Sequence, residues 1–115
     1  MADTPTRKEM SRQYQEREIV GGVYAIRNTQ NGKMLIEAAA DLRGSQNRFA
    51  FAQSTGSCVS MKLQSDWNAQ DGKAFVFEPL EELKKGENQT MAQFKEDLET
   101  LKEFWLEKLA EQELY

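Results

Sequence analysis

Apolar and polar positions alternate from Ile19 to Thr29, with Val20, Tyr24 and Ile26 on one side and Val23 and Ala25 on the other. That period of two predicts a strand. Thr29-Gln30-Asn31-Gly32-Lys33 follows, and its Asn-Gly pair tolerates the positive φ angles of a tight turn, so Met34 to Ala38 is expected to return as a second strand. Asp41 then offers an N-cap for a helix to about Gln53, with Leu42, Phe49 and Ala52 near one face. Ser54-Thr55-Gly56-Ser57 breaks it. Val59, Leu63 and Trp67 stand at helical spacing and predict a second helix from about Cys58 to Gln70, closed by Asp71-Gly72.

Phe75-Val76-Phe77-Glu78 reads as a third strand ended by Pro79, which cannot donate to a ladder, with Leu80 to Leu83 as a ragged extension. Lys84 to Gln89 is a charged loop. From Thr90 a last helix carries Met91, Phe94, Leu98, Leu101, Trp105 and Leu109 in steps of three and four, a wide core-facing stripe. The order β-β-α-α-β-α with short links predicts an α+β domain over residues 19–115 around a small three-stranded antiparallel sheet. Residues 1–18 are polar and charge-balanced, and read as an N-terminal arm or helix.

Composition narrows the chemistry. Across 115 residues, 39% hydrophobic and 30% charged positions fit a single soluble globular domain. No apolar run approaches the roughly 20 residues that span a bilayer, and Met1 to Lys8 holds no signal-peptide core, so no membrane association and a cytoplasmic location are expected. Cys58 is the single cysteine and there is no histidine. Disulfides within the chain, imidazole metal sites and Ser-His or Cys-His nucleophiles are thereby excluded. Cys58 near a helix start reads as a lone buried thiol, with no histidine to activate it.

The net charge of −4 is concentrated late: from Thr90 onward there are three lysines against seven acids. Such a chain is a poor general binder of nucleic acid, because that affinity rests on phosphate neutralisation. A local basic face around Arg43, Arg48 and Lys62 competes with an ordinary solvated surface. Trp67, Trp105, Phe49 and Phe51 are expected in the core rather than as base-stacking platforms.

Gly22-Val23-Tyr24 and, after Asn31-Gly32, Leu35-Ile36-Glu37 resemble the two signature strands of the GIY-YIG endonuclease family, the second strand altered. Lys62-Leu63-Gln64 with Asp66-Trp67-Asn68 resembles that family's central helix, Phe75 to Leu83 its third strand, and Phe104-Trp105-Leu106 its last helix. The resemblance covers about Gly21 to Leu109. It implies phosphodiester hydrolysis using two tyrosines, a helix arginine and a glutamate that holds a divalent metal, since the developing negative charge must meet cations in fixed geometry.

Carried onto this chain, the resemblance supplies Tyr24 as the first tyrosine, while Leu35 stands where the second belongs and Glu37 replaces a small glycine. Ser45 falls at the arginine, with Arg43 and Arg48 nearby on the same helix, and Lys102 falls at the metal-binding glutamate. The expectation is a degenerate, non-catalytic module with Tyr24, Arg43 and Arg48 as a remnant catalytic site and Glu37, Lys62 and Lys102 as binding residues. Lys102 would pair with Glu37 across the cleft; the rival readings are two unrelated surface charges, or a ladder of Lys95, Glu99 and Lys102 along the helix. Tyr24 equally suits a core tyrosine.

Such a module would bind DNA or other nucleic acid weakly, or a protein partner, and would need no cofactor. The alternative is an endonuclease using displaced residues, with Glu99 and Glu103 holding Mg or Mn. A third reading is a protein–protein adaptor unrelated to DNA, presenting the acidic last helix or the N-terminal arm. Oligomeric state is not legible.

Overall fold

The computed structural model describes residues 18–70 and 72–115; the expected N-terminal arm or helix, all but its last residue, and Asp71 lie outside them. Three strands, β1 (Val20–Asn28), β2 (Met34–Ala39) and β3 (Phe75–Lys84), form one antiparallel sheet in the order β2-β1-β3. Among the described residues three α-helices accompany it: α1 (Leu42–Thr55), α2 (Gln64–Gln70) and α3 (Met91–Lys108). This is the expected three-stranded α+β architecture, in the expected order.

The hairpin turns through Thr29 to Lys33, where the amide of Gly32 donates to the Asn28 carbonyl at 2.8 Å. Gly32 takes a φ of 78°, the left-handed value that glycine adopts without strain. β1 then pairs with β2 from Gly22 opposite Ala39 to Arg27 opposite Met34. β1 also needs its two glycines for close approach. A β-carbon at Gly21 would meet the Ala39 carbonyl and the Phe94 ring, and one at Gly22 would meet the Glu81 carbonyl.

Pro79 does not end the third strand. β3 continues to Lys84, with a register shift where Val23 pairs with Glu81 and Tyr24 with Pro79. β3 is a sheet edge and the shift is a bulge, two settings that tolerate a residue without an amide hydrogen.

α1 begins at Asp41, whose Oδ1 accepts from the Gly44 amide at 2.9 Å, and closes at Gly56 with φ 78°. The expected Cys58–Gln70 helix is shorter. A 3-10 turn, Met61–Leu63, leads into α2, while Cys58 and Val59 stay in the preceding loop and Val59 is exposed. Ser60 caps that turn and stops the helical pattern from reaching further back. α3 starts at a capping box, Thr90 with Gln93.

The sheet separates two apolar layers. On one side Ile26, Leu35, Phe49, Ala52, Leu63, Trp67 and Phe75 are buried together, joining β strands to α1 and α2. On the other, Val23, Ala25, Met34 and Ile36 pack beneath Leu101, Trp105 and Leu109 of and after α3. Met91, expected on that stripe, is exposed in the first turn, and Phe51, expected in the core, is 69% exposed. Phe51 follows the solvent side of α1, whose buried positions are Leu42, Ser45, Phe49 and Ala52. Among the described residues no helix is long and apolar enough to cross a membrane.

Candidate functional site

Alternation along the strands sends Tyr24 and Ile26 of β1, Leu35 and Glu37 of β2 and Phe77 of β3 to the same side, where they floor a cleft of about 400 Å³. Ser45, Arg48 and Phe49 of α1 make one wall, and Val59 and Ser60 of the following loop make the other. Tyr24 stands directly opposite Glu37 in the ladder, and Ile26 opposite Leu35. The Tyr24 ring stacks on Phe77 with centroids 4.5 Å apart.

Tyr24 is half-buried, and that burial, reinforced by the Glu37 carboxylate, raises the phenol's pKa above 10.0. The nearby Ser45 hydroxyl and the Arg48 charge pull more weakly the other way. Near neutral pH Tyr24 therefore keeps its proton and can donate it in a hydrogen bond. Arg48 donates from Nη2 to Ser45 Oγ at 3.0 Å, which turns its guanidinium toward the cleft wall. The buried Ser45, standing where the resemblance expects an arginine, thus positions the arginine three residues later.

Lys102 Nζ lies 3.7 Å from Glu37 Oε2, with the two side chains 23% and 33% exposed. Glu37 lines the α1 side of the sheet, whereas the α3 residues near Lys102, Leu101 and Trp105, pack on the opposite side. Because β2 is an edge strand, the lysine reaches the carboxylate around the sheet's rim. The expected Glu37–Lys102 contact is present, but it runs around the rim of β2 and not across the cleft, whose lining does not include Lys102.

The remaining candidates are dispersed. Arg43 lines a separate groove with Glu18, Asp41, Glu82 and Lys84, not the cleft. Lys62 is exposed on the 3-10 turn beyond Ser60. Glu99 and Glu103 are exposed on α3 and do not line the cleft; Glu103 borders a shallow groove with Phe104 and Glu107.

A divalent metal, implied by the family resemblance, calls for several oxygen ligands. Among the described residues no group of three or more His, Cys, Asp or Glu stands together. Glu37 supplies the single carboxylate of the cleft lining, and an ammonium already faces it. The residues present do not fit that metal.

Sequence reasoning missed Val59, Ser60 and Phe77 as cleft residues. Phe77 carried a signal, its parity in β3, whereas Val59 was read as a helix position and lies with Ser60 in the loop before the 3-10 turn. Also missed was a polar cluster at the hairpin. Tyr115 Oη donates to Asp66 Oδ2 at 2.6 Å and accepts from Asn28 Nδ2 at 3.0 Å. Asn28, fully buried, donates further to Gln70 Oε1 at 2.6 Å. The Tyr115 amide donates to the Met34 carbonyl at 2.9 Å, tying this last segment to the edge of β2.

No protein-family model matches the chain, and no curated protein matches it. Among solved structures it is similar to the catalytic domain of homing endonuclease I-TevI, with 28% identity and a TM-score of 0.57 over 78% of this chain and 88% of that one. A mutant of the catalytic domain of intron endonuclease I-TevI gives 27% identity and a TM-score of 0.58 over 80% and 86%. Sheet order, helix placement and sequence identity together show that this chain has the GIY-YIG endonuclease fold.

Proposed function

We propose that this chain is a GIY-YIG-fold module that binds nucleic acid weakly through the cleft beside Tyr24 and Arg48 and does not cut it. The observation that carries this reading is the Glu37 carboxylate, which lines the cleft and is held at 3.7 Å by Lys102. Hydrolysis of a phosphodiester asks for cations around the scissile group. Here the floor offers a carboxylate and the apolar Leu35 instead, and among the described residues the one cation in the lining is Arg48. Arg27, on the opposite parity of β1, is tied to Glu78 at 2.6 Å. A single lining arginine and an overall charge of −4 support weak binding with a shallow salt dependence.

The test is fluorescence anisotropy with single- and double-stranded oligonucleotides across a salt series, beside plasmid incubation with Mg²⁺ or Mn²⁺. Weak binding with a shallow salt slope, and no nicking, is expected. Nicking that disappears in the Glu99→Gln/Glu103→Gln double variant would instead establish the displaced-metal endonuclease. Absence of binding to any oligonucleotide would leave the protein-adaptor reading.

A further inference from the structure

We infer that the cleft takes one unstacked nucleotide by its base, a guanine whose paired N–H donors rest on the Glu37 carboxylate, with its phosphate at the Arg48 rim. This deepens the nucleic-acid reading and rests on it. The cleft's volume of about 400 Å³ falls within the range of small-molecule sites. Glu37 apart, its floor is apolar and aromatic, with Ile26 and Leu35 beside the stacked Tyr24 and Phe77, and Phe49 on the adjoining wall. A planar heterocycle covers such a floor better than a hydrated phosphate does.

The polar groups then choose among heterocycles. A carboxylate only accepts hydrogen bonds, and the Lys102 contact at 3.7 Å is an ion pair longer than a hydrogen bond, so both oxygens keep free lone pairs. Guanine alone among the common bases presents two adjacent donors, N1–H and N2–H, in a fork that matches a carboxylate. Adenine and cytosine offer one amino group beside an acceptor, and uracil and thymine offer an imino N–H flanked by carbonyls that Glu37 would repel.

Charge agrees with a nucleotide. Among the described residues, Arg48 and Lys102 against Glu37 leave one net positive charge around the cleft, which suits one phosphodiester. Arg48 is exposed and commits Nη2 to Ser45, with its other N–H groups available at the rim. A peptide arginine would also fit a carboxylate fork, but Arg48 and Lys102 would both repel it.

The experiment titrates the whole chain with the four ribonucleoside 5′-monophosphates and with inorganic phosphate, following amide resonances of Tyr24, Glu37 and Arg48 by NMR. Guanosine monophosphate is expected to bind about tenfold more tightly than the other three, the discrimination one good bidentate pair supplies. Glu37→Gln should erase that preference, and Arg48→Gln should weaken all four nucleotides together. Equal binding of all nucleotides and of phosphate, displacement by an arginine-rich peptide, or no perturbation of cleft resonances would each overturn the inference.

The two readings fail differently. Oligonucleotides that bind through Arg48 with no dependence on guanine would overturn the base site alone. Guanosine monophosphate bound in the cleft with no oligonucleotide binding would uphold the base site and overturn the nucleic-acid module.

Discussion

Lys102 Nζ and Glu37 Oε2 meet at 3.7 Å although Glu37 faces the cleft side of the sheet and α3 packs on the other, because the lysine passes around the edge of β2. The pair ties the last helix to the cleft floor and brings to that floor a charge balance unlike that of a metal-bearing site.

The pair should be measurable as a coupling. With both side chains partly solvated, a double-mutant cycle of Lys102→Met and Glu37→Gln in urea unfolding is expected to give about 0.5–1 kcal/mol. The coupling should shrink in high salt. A coupling of zero at low salt would mean the contact holds nothing.

Tyr24 reports the charges of the cleft. Its phenol ionises above 10.0 through burial first and the Glu37 charge second. Because the folded-state pKa is raised, its contribution to stability is full below the unfolded value and is lost as pH rises through the folded one. Glu37→Gln should move the phenol's titration down, and Arg48→Gln should move it up. Ultraviolet absorbance of phenolate, or NMR of the ring carbons, measures both shifts.

The hairpin cluster predicts an acid response. The hydrogen bond from Tyr115 is the largest influence holding the Asp66 carboxyl below its ordinary 3.8. A depressed carboxyl stabilises the fold above that ordinary value, and the contribution is lost as pH falls through the folded-state pKa. Tyr115→Phe is therefore expected to lower the thermal midpoint at neutral pH and to flatten its decline below pH ~4. Equal acid slopes for both proteins would remove Asp66 from the account.

Gly22 is a steric requirement of the bulge. Gly22→Ala puts a methyl group against the Glu81 carbonyl, and the strand must shift to admit it. The expected loss is about 1–3 kcal/mol in urea unfolding, with the larger part from the misplaced ladder. Gly32→Ala meets no neighbour, so its cost should come from the positive φ alone.

How far the sequence reached can be judged from particular elements. Alternation from Val20 to Ile26 and the Asn31-Gly32 signal located the hairpin, because side-chain parity and turn chemistry are local properties. Asp41 and Thr90 announced helix starts for the same reason. Pro79 misled because a missing amide hydrogen is harmful only in a strand paired on both sides, and sequence does not say which strand is an edge. Phe51 misled because its size was read ahead of its position: it stands about 200° round α1 from Phe49, on the face turned to water.

By itself the sequence determined the element order, the parity that puts Tyr24 and Glu37 on one strand pair, and the absence of histidine from any site. Only the tertiary structure decided that Arg48 and not Arg43 lines the cleft, that Ser45 orients it, and that Val59 and Ser60 close the far wall. It also brought Tyr115 to Asn28 and Asp66, across separations of 87 and 49 residues. Periodicity carries information over a turn of helix or a pair of strands. Contacts between distant segments depend on how layers stack and which edges stay open, and those are settled by the burial of the whole core.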